Sequence, residues 1–242
     1  MNTYVKVHDL TVTYNRDSQP IFEGLSMELY KGELILLMGP NGGGKSTLIK
    51  SIVGLLKPVK GSIEVLGVDP YRDLDIRKAI GYVPQVMDVN IYAPITLWDL
   101  VSFGRYPYLG IFKRFSKVDE EVVLDAIKKV GLEDYIDYKV SELSGGQLSR
   151  GFIARALAQD PMIYLLDEPF ESIDYISEEV VLKVLREEAG RGKLIVLAEH
   201  HLSETGYIDR LILFNRGVIA DGKPEEILND KYLEKAYGGV KI

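Results

Sequence analysis

Apolar residues recur along this chain with two spacings, and the switching between them predicts an α/β fold. Short, largely apolar runs lie at Leu34–Met38, Ile80–Val83, Met162–Leu166, Lys193–Ala198 and Leu211–Phe214, the pattern of strands buried on both faces of a sheet. Helical spacing separates several of them, as alternating strands and crossover helices require. Nearer the start, Val5, Val7, Thr11, Val12 and Tyr14, and then Ser26–Tyr30, alternate with polar residues on either side of a polar turn at Asn15–Gln19. That alternation predicts an antiparallel edge. Asn215-Arg216-Gly217 predicts a closing hairpin turn.

From about Asp88 to Arg150 the rhythm breaks. Val118–Val130 has helical periodicity, with Val123 and Ile127 on one face and Gly131 placed to cap it. Residues 88–150 are therefore read as a helical insertion into a core built from 1–87 and 151–242. There is no internal repeat, low-complexity tract or long linker to suggest independent domains.

Composition narrows the partners. A chain of 242 residues with 46% hydrophobic content can bury one large core, or a core plus a subdomain. Its net charge of -7 argues against a nucleic-acid-binding face, so no nucleic acid is expected as a partner. With no cysteine, disulfides and thiolate chemistry are excluded. Met1–Leu10 mixes Asn, Lys, His and Asp, which predicts no export signal. Nowhere do apolar residues approach the ~18 to 20 in a row of a membrane span, so a membrane role is expected to come through a partner.

Candidate chemistry begins at Gly39-Pro40-Asn41-Gly42-Gly43-Gly44-Lys45-Ser46-Thr47, which fits G-x-x-x-x-G-K-[ST]. In such a loop glycines let backbone N–H groups close around phosphates, Lys45 neutralises terminal oxygens and the Ser46 hydroxyl ligates magnesium. The context is right: the Leu34–Met38 run precedes it, and Leu48, Ile49, Ile52 and Val53 follow at helical spacing, aiming a helix N-terminus at the phosphates. Farther on, Ile163–Leu166 ends in adjacent carboxylates, Asp167 and Glu168, before Pro169. Asp167 would hold the metal while Glu168 polarises the attacking water. Asp-Glu-Pro alone is an ordinary polar turn; its coexistence with Lys45 and Ser46 decides for chemistry. A second phosphate-binding element is Leu143-Ser144-Gly145-Gly146-Gln147, where Ser144 caps a helix carrying Ile153, Ala154 and Leu157, and the glycines admit a γ-phosphate close to the backbone. One ATP needs only one such element.

The order of these elements (phosphate loop, Gln85, Leu-Ser-Gly-Gly-Gln, Leu-Leu-Asp-Glu-Pro, His200) resembles the nucleotide-binding subunit of ATP-binding-cassette transporters over essentially the whole chain. The resemblance implies a P-loop NTPase core with an N-terminal antiparallel β subdomain and an inserted α-helical subdomain. It implies Tyr14 stacking on adenine, Gln85 as the magnesium and water sensor beside Ser46 and Asp167, His200 as the γ-phosphate switch and Asp174 as an intersubunit residue. It also implies a head-to-tail dimer with ATP and Mg2+ between two copies, integral membrane permease subunits, an extracytoplasmic substrate-binding protein, and a peripheral location on the cytoplasmic face of the cell membrane. Two places depart from the common pattern. Thr-His-Asp is replaced by Glu199-His200-His201, where His200 is chosen because Leu202 then matches the family's following Leu; and Phe170-Glu171-Ser172-Ile173-Asp174 replaces Thr, small residues and Leu-Asp.

Gly104–Gly110, Lys113–Ser116 and Glu168-Pro169-Phe170 are similar to the ATPases of zinc and manganese importers, although Gly-Arg-Tyr-Pro also occurs in those for ferric siderophores, haem and cobalamin. Zinc or manganese import is the favoured expectation. A soluble cassette ATPase, such as one for iron-sulfur cluster assembly, is the competing class. Tyr92, Trp98, Phe103, Tyr106, Tyr108 and Phe112 are read either as the groove for a permease coupling helix or as subdomain core. Transported-metal specificity is expected outside this chain, whose three histidines have no ligand spacing.

Overall fold

The computed structural model describes residues 2–14, 19–85, 94–109, 114–201 and 203–238. Among these residues nine strands form two sheets: β1 (Thr3–Val12), β2 (Phe22–Tyr30) and β4 (Lys60–Val65) in one, and β3 (Leu34–Met38), β5 (Ile80–Val83), β6 (Ile163–Asp167), β7 (Leu194–Glu199), β8 (Arg210–Phe214) and β9 (Val218–Gly222) in the other. The smaller sheet is antiparallel in the order β2-β1-β4. The larger runs β5-β6-β7-β3-β8-β9 and is parallel except for the β8–β9 hairpin, which closes through Asn215-Arg216-Gly217.

Alternation of side chains along β3 explains why that run is apolar throughout. Leu34, Leu36 and Met38 join one hydrophobic cluster and Ile35 and Leu37 the other, so both faces are covered. On one face lie α1 (Lys45–Ile52) and the antiparallel sheet; on the other lie α5 (Gly145–Gln159) and α6 (Tyr175–Gly190). Fully burying each such aliphatic side chain contributes on the order of 1.5–3 kcal/mol, which makes this sheet a rigid platform for the loops at its strand ends.

Among the described residues between β5 and β6, α2 (Leu97–Ser102), α3 (Tyr106–Leu109) and α4 (Lys117–Lys129) precede α5. α2, α4 and α5 each start where a side chain can satisfy free N–H groups: Thr96 with Asp99, Ser116 with Asp119 and Ser144 with Gln147 form reciprocal capping boxes. Asp119 also accepts from Arg105 Nε at 3.0 Å, tying the start of α4 to the segment after α2. Val123 and Ile127 share the buried face of α4, and Gly131 follows it with φ 66°. α5 passes continuously across residue 150 and packs against α2, α4 and β5, so the edge of the inserted helices is not a break in the backbone. Two short helices, α7 (Pro224–Ile227) and α8 (Asp230–Tyr237), close the described chain against β8 and β9.

Candidate functional site

The phosphate loop spans Gly39–Gly44 between β3 and α1. Gly39 is required by packing: a Cβ there would lie 1.9 Å from the Phe214 carbonyl oxygen at the end of β8. The loop is further pinned from outside, where Arg216 N donates to Gly43 O at 2.7 Å. Lys45, in the first turn of α1, curls back so that its Nζ donates to Gly39 O at 2.8 Å and Pro40 O at 3.3 Å. It is buried and also faces Glu168 Oε1 at 3.6 Å. Burial pushes the Lys45 ammonium below its usual pKa, while Glu168 pulls the other way.

The acidic pair sits at the end of β6, next to β5 and β7 in the sheet. Asp167, the last strand residue, is buried and accepts from Ser46 Oγ at 2.8 Å. Burial raises its carboxyl and the Ser46 bond opposes that rise. Glu168 follows with φ 50°, a left-handed conformation uncommon outside glycine, and its N–H is held by Ala198 O at 2.9 Å. That turn leaves Glu168 Oε1 facing Lys45 while Oε2 accepts from Gln85 Nε2 at 3.0 Å. Lys45, Ser46, Gln85, Asp167 and Glu168 are therefore one cluster, although they come from three separate stretches of chain.

A cavity of about 220 Å³ opens over this cluster, lined by Ile21, Tyr14, Gly42–Thr47 and Glu168. Tyr14 is more than half exposed, and its hydroxyl is 3.0 Å from Thr47 Oγ1, so the aromatic ring stands at the rim. Asn41 is exposed on the same loop. His200 stands at the end of β7, half exposed, with Nδ1 at 3.9 Å from Glu199 Oε2 and its carbonyl held by Tyr237 Oη at 3.0 Å. His201 is exposed, and Leu202 lies outside the described residues.

The Leu143–Gln147 element, expected to bind phosphate, is elsewhere. Ser144 N donates to Gln147 Oε1 at 2.8 Å and Gln147 N to Ser144 Oγ at 3.2 Å, a closed box at the start of α5. Leu143 anchors it against the core cluster. Gly146 is needed because a Cβ would lie 2.5 Å from Ser172 O. None of Leu143–Gln147 lines the cavity over Lys45. It connects to the turn after β6 through its own helix, where Ser149 Oγ donates to Pro169 O at 2.5 Å. Asp174 caps α6, accepting from Ser177 N at 3.0 Å and Ser177 Oγ at 2.7 Å.

Two acidic residues that sequence motifs passed over belong to this neighbourhood. Glu171 accepts a second bond from Gln85 Nε2, at 3.0 Å. Glu199 is 1% exposed, and its Oε1 accepts from Phe170 N at 2.9 Å. Burial lifts Glu199 to about 8, the Glu168 and Glu178 carboxylates add to the rise, and Phe170 N–H and Lys45 oppose it. The only sequence signal was its position one residue before His200, at the end of an apolar strand.

Glu199 makes stability depend on pH with a definite sign. The folded state holds a proton that the unfolded state has lost, over the window from the ordinary glutamate value of 4.5 up to about 8. Folding is therefore progressively less stable as pH rises through that window. Glu199→Gln keeps an acceptor for Phe170 N–H but cannot ionise, so urea unfolding should fall off less steeply between the two ends of the window than it does for the wild type. Parallel pH dependences would contradict this reading of Glu199.

This geometry frames the likeness to known proteins. Residues 22–171 match the family described as ABC transporter. The chain belongs to the ABC transporter family. The cassette is 40% identical over 97% of its length to the manganese transport system ATP-binding protein MntB of Bacillus subtilis, of which it covers 92%. It is 38% identical, again over 97% of its length, to the zinc transport system ATP-binding protein TroB of Treponema pallidum, of which it covers 87%. Among solved structures, a dimeric ATP-binding cassette in a post-hydrolysis state, bound to ADP and Pi, superposes with a TM-score of 0.81 at 28% identity, covering 90% of this chain and 98% of that one. The fold is that of an ABC ATPase, and the cassette is an ATP-hydrolysing component of a transporter. Among the described residues no helix is long and apolar enough to cross a membrane.

Proposed function

We propose that two copies of this cassette bind ATP between them, head to tail, and power uptake of a transition metal, manganese or zinc, through integral membrane permease subunits. The observation that carries the dimer is the separation of two phosphate-binding elements: Lys45 and its loop line one cavity while Leu143–Gln147 lies outside it. An isologous pair places the second element of each copy over the cavity of the other and makes two equal sites. In that arrangement Asp174 lies at the shared interface, two residues beyond Ser172, whose side chain approaches Gly145.

Within each site, the loop N–H groups and Lys45 hold the phosphates, with Gly39, Pro40, Asn41, Gly42, Gly43, Gly44 and Thr47 shaping the cradle and Tyr14 carrying the base at its rim. Glu168 is the general base: its turn presents a carboxylate to water at the γ-phosphate, and Gln85 and His200 orient the attack. The oxygens of Ser46, Gln85 and Asp167 suit magnesium, a hard cation that would offset phosphate charge when bound. Nothing in the cluster offers a soft ligand.

The names of MntB and TroB support manganese or zinc as the cargo. Selectivity would reside in the permease and an extracytoplasmic substrate-binding protein, with the cassette peripheral on the cytoplasmic face of the membrane. The contact to the permease falls on the inserted helices. Phe103, Tyr106 and Tyr108 are 42–54% exposed, with Phe103 and Tyr106 ring centroids 5.7 Å apart, whereas Trp98 packs on Phe115 and the core. Of the six aromatics, Tyr92 and Phe112 lie outside the described residues.

Affinity purification tests this reading. A polytopic membrane protein should co-purify and stimulate ATP hydrolysis, and Phe103→Ala with Tyr106→Ala should weaken that stimulation roughly tenfold, the scale of losing an interfacial anchor, while leaving ATP binding intact. Recovery of soluble scaffold proteins alone would sink the transport assignment.

A further inference from the structure

Glu171 occupies a place where the family pattern puts a small residue, yet it reaches into the cluster around Glu168. Gln85 has two amide hydrogens, and both are taken by acids: Nε2 is 3.0 Å from Glu168 Oε2 and 3.0 Å from Glu171 Oε2. An amide facing two carboxylates must turn its nitrogen toward them, since the opposite flip would set carbonyl oxygen against anionic oxygen. The carbonyl oxygen of Gln85 is then the atom directed away from the acids. With Glu168 alone the amide would have one tether and could rotate about it; Glu171 supplies the second.

We propose that Glu171 is a positioning residue for ATP hydrolysis, fixing the Gln85 amide so that its oxygen faces the magnesium position. This rests on the assignment of Gln85 to the metal set. Glu171 also links two segments that lead to different partners. Gln85 stands at the entry to the inserted helices, and Glu171 lies in the turn between Glu168 and Asp174. A change in that turn at the dimer interface is thereby felt at Gln85.

Charge and hydrogen bonding are separable here. Glu171→Gln loses the charge but keeps an acceptor oxygen for Gln85, whereas Glu171→Leu loses both. If Glu171 acted only as a negative charge near the phosphates, the two variants would behave alike. A positioning role predicts that they differ: half-saturating magnesium for ATP hydrolysis should rise roughly three- to tenfold in Glu171→Leu, the scale of one partly exposed hydrogen bond, and stay near wild type in Glu171→Gln. ATP binding measured in EDTA should be unchanged in both.

A second readout needs neither nucleotide nor metal. In the nucleotide-free protein the side-chain amide resonances of Gln85 should shift or broaden in Glu171→Leu and remain in place in Glu171→Gln. Wild-type amide signals and wild-type magnesium dependence in Glu171→Leu would overturn the proposal, as would identical behaviour of the two variants. Gln85→Ala distinguishes this from failure of the underlying assignment: it should raise half-saturating magnesium at least as much as Glu171→Leu, and an unchanged value would remove Gln85 from the metal set.

Discussion

Replacing Glu168 by Gln should lower the ATP turnover rate by about 10²- to 10⁴-fold, the range expected for loss of a general base, while ATP still binds. The amide preserves the shape of the side chain and its approach to Gln85 and Lys45, but it accepts a proton poorly and bears no charge to polarise water. Its place on a left-handed turn, braced by Ala198 O, fixes the direction of the carboxylate, and neither Asp167 nor Glu199 is free to take over. Asp167 is committed to Ser46, and Glu199 is buried under Phe170. With hydrolysis blocked, the ATP-bound dimer should accumulate and elute as such in size-exclusion chromatography with magnesium-ATP. Turnover near the wild-type rate would take the base role away from Glu168.

Much of this site could be read from the sequence because it is encoded by local spacing. Gly39–Thr47 specifies a loop between a strand and a helix, and β3 and α1 are found on either side of it. The strands of the parallel sheet were legible for the same reason: burial on both faces leaves no polar position, so Leu34–Met38 and Ile80–Val83 stand out as runs. The antiparallel sheet was harder. Register shifts within β1 near Val7 to Leu10, with Asp9 at φ 47°, interrupt the alternation on which such a reading depends. In β4 only Ile63 and Val65 are buried, which is too little pattern to mark a strand.

The acidic residues around Glu168 escaped for a different reason. Glu199 looks like a polar strand end, since carboxylates are seldom buried, and only the tertiary contact with Phe170 N–H shows its place. Glu171 looks like a departure from a motif, and its partner is 86 positions away in the chain. Trp98 and Phe103 are close in sequence and both aromatic, yet one packs into the core and the other is exposed, a distinction that helical spacing over so short a segment as α2 could not make.

The second large effect concerns the two phosphate-binding elements. Lys45→Ala should weaken ATP binding by roughly ten- to a hundredfold, as the phosphates lose a charge-assisted bond worth about 1.5–3 kcal/mol. The lysine is already poised on Gly39 O and Pro40 O, so little ordering offsets its contribution. Gly145→Asp should act otherwise, leaving binding through Lys45 nearly intact while a carboxylate repels the γ-phosphate of the facing copy. A Cβ at Gly145 lies 3.1 Å from Ser172 Cβ, so Ser172 must give by a few tenths of an ångström. Retained ATP binding by that variant serves as its check on folding.

Mixing these two variants tests the shared site most directly. In a heterodimer of Lys45→Ala with Gly145→Asp, one composite site has both lesions and the other has an intact loop from one copy and an intact Leu143–Gln147 element from its partner. Trapped nucleotide, counted after rapid removal of free magnesium-ATP, should amount to one ATP per mixed dimer, with neither variant trapping any by itself. If each site is instead built within one chain, no intact site exists in the mixture, and absence of trapped ATP under conditions where the wild type traps it would contradict the head-to-tail dimer.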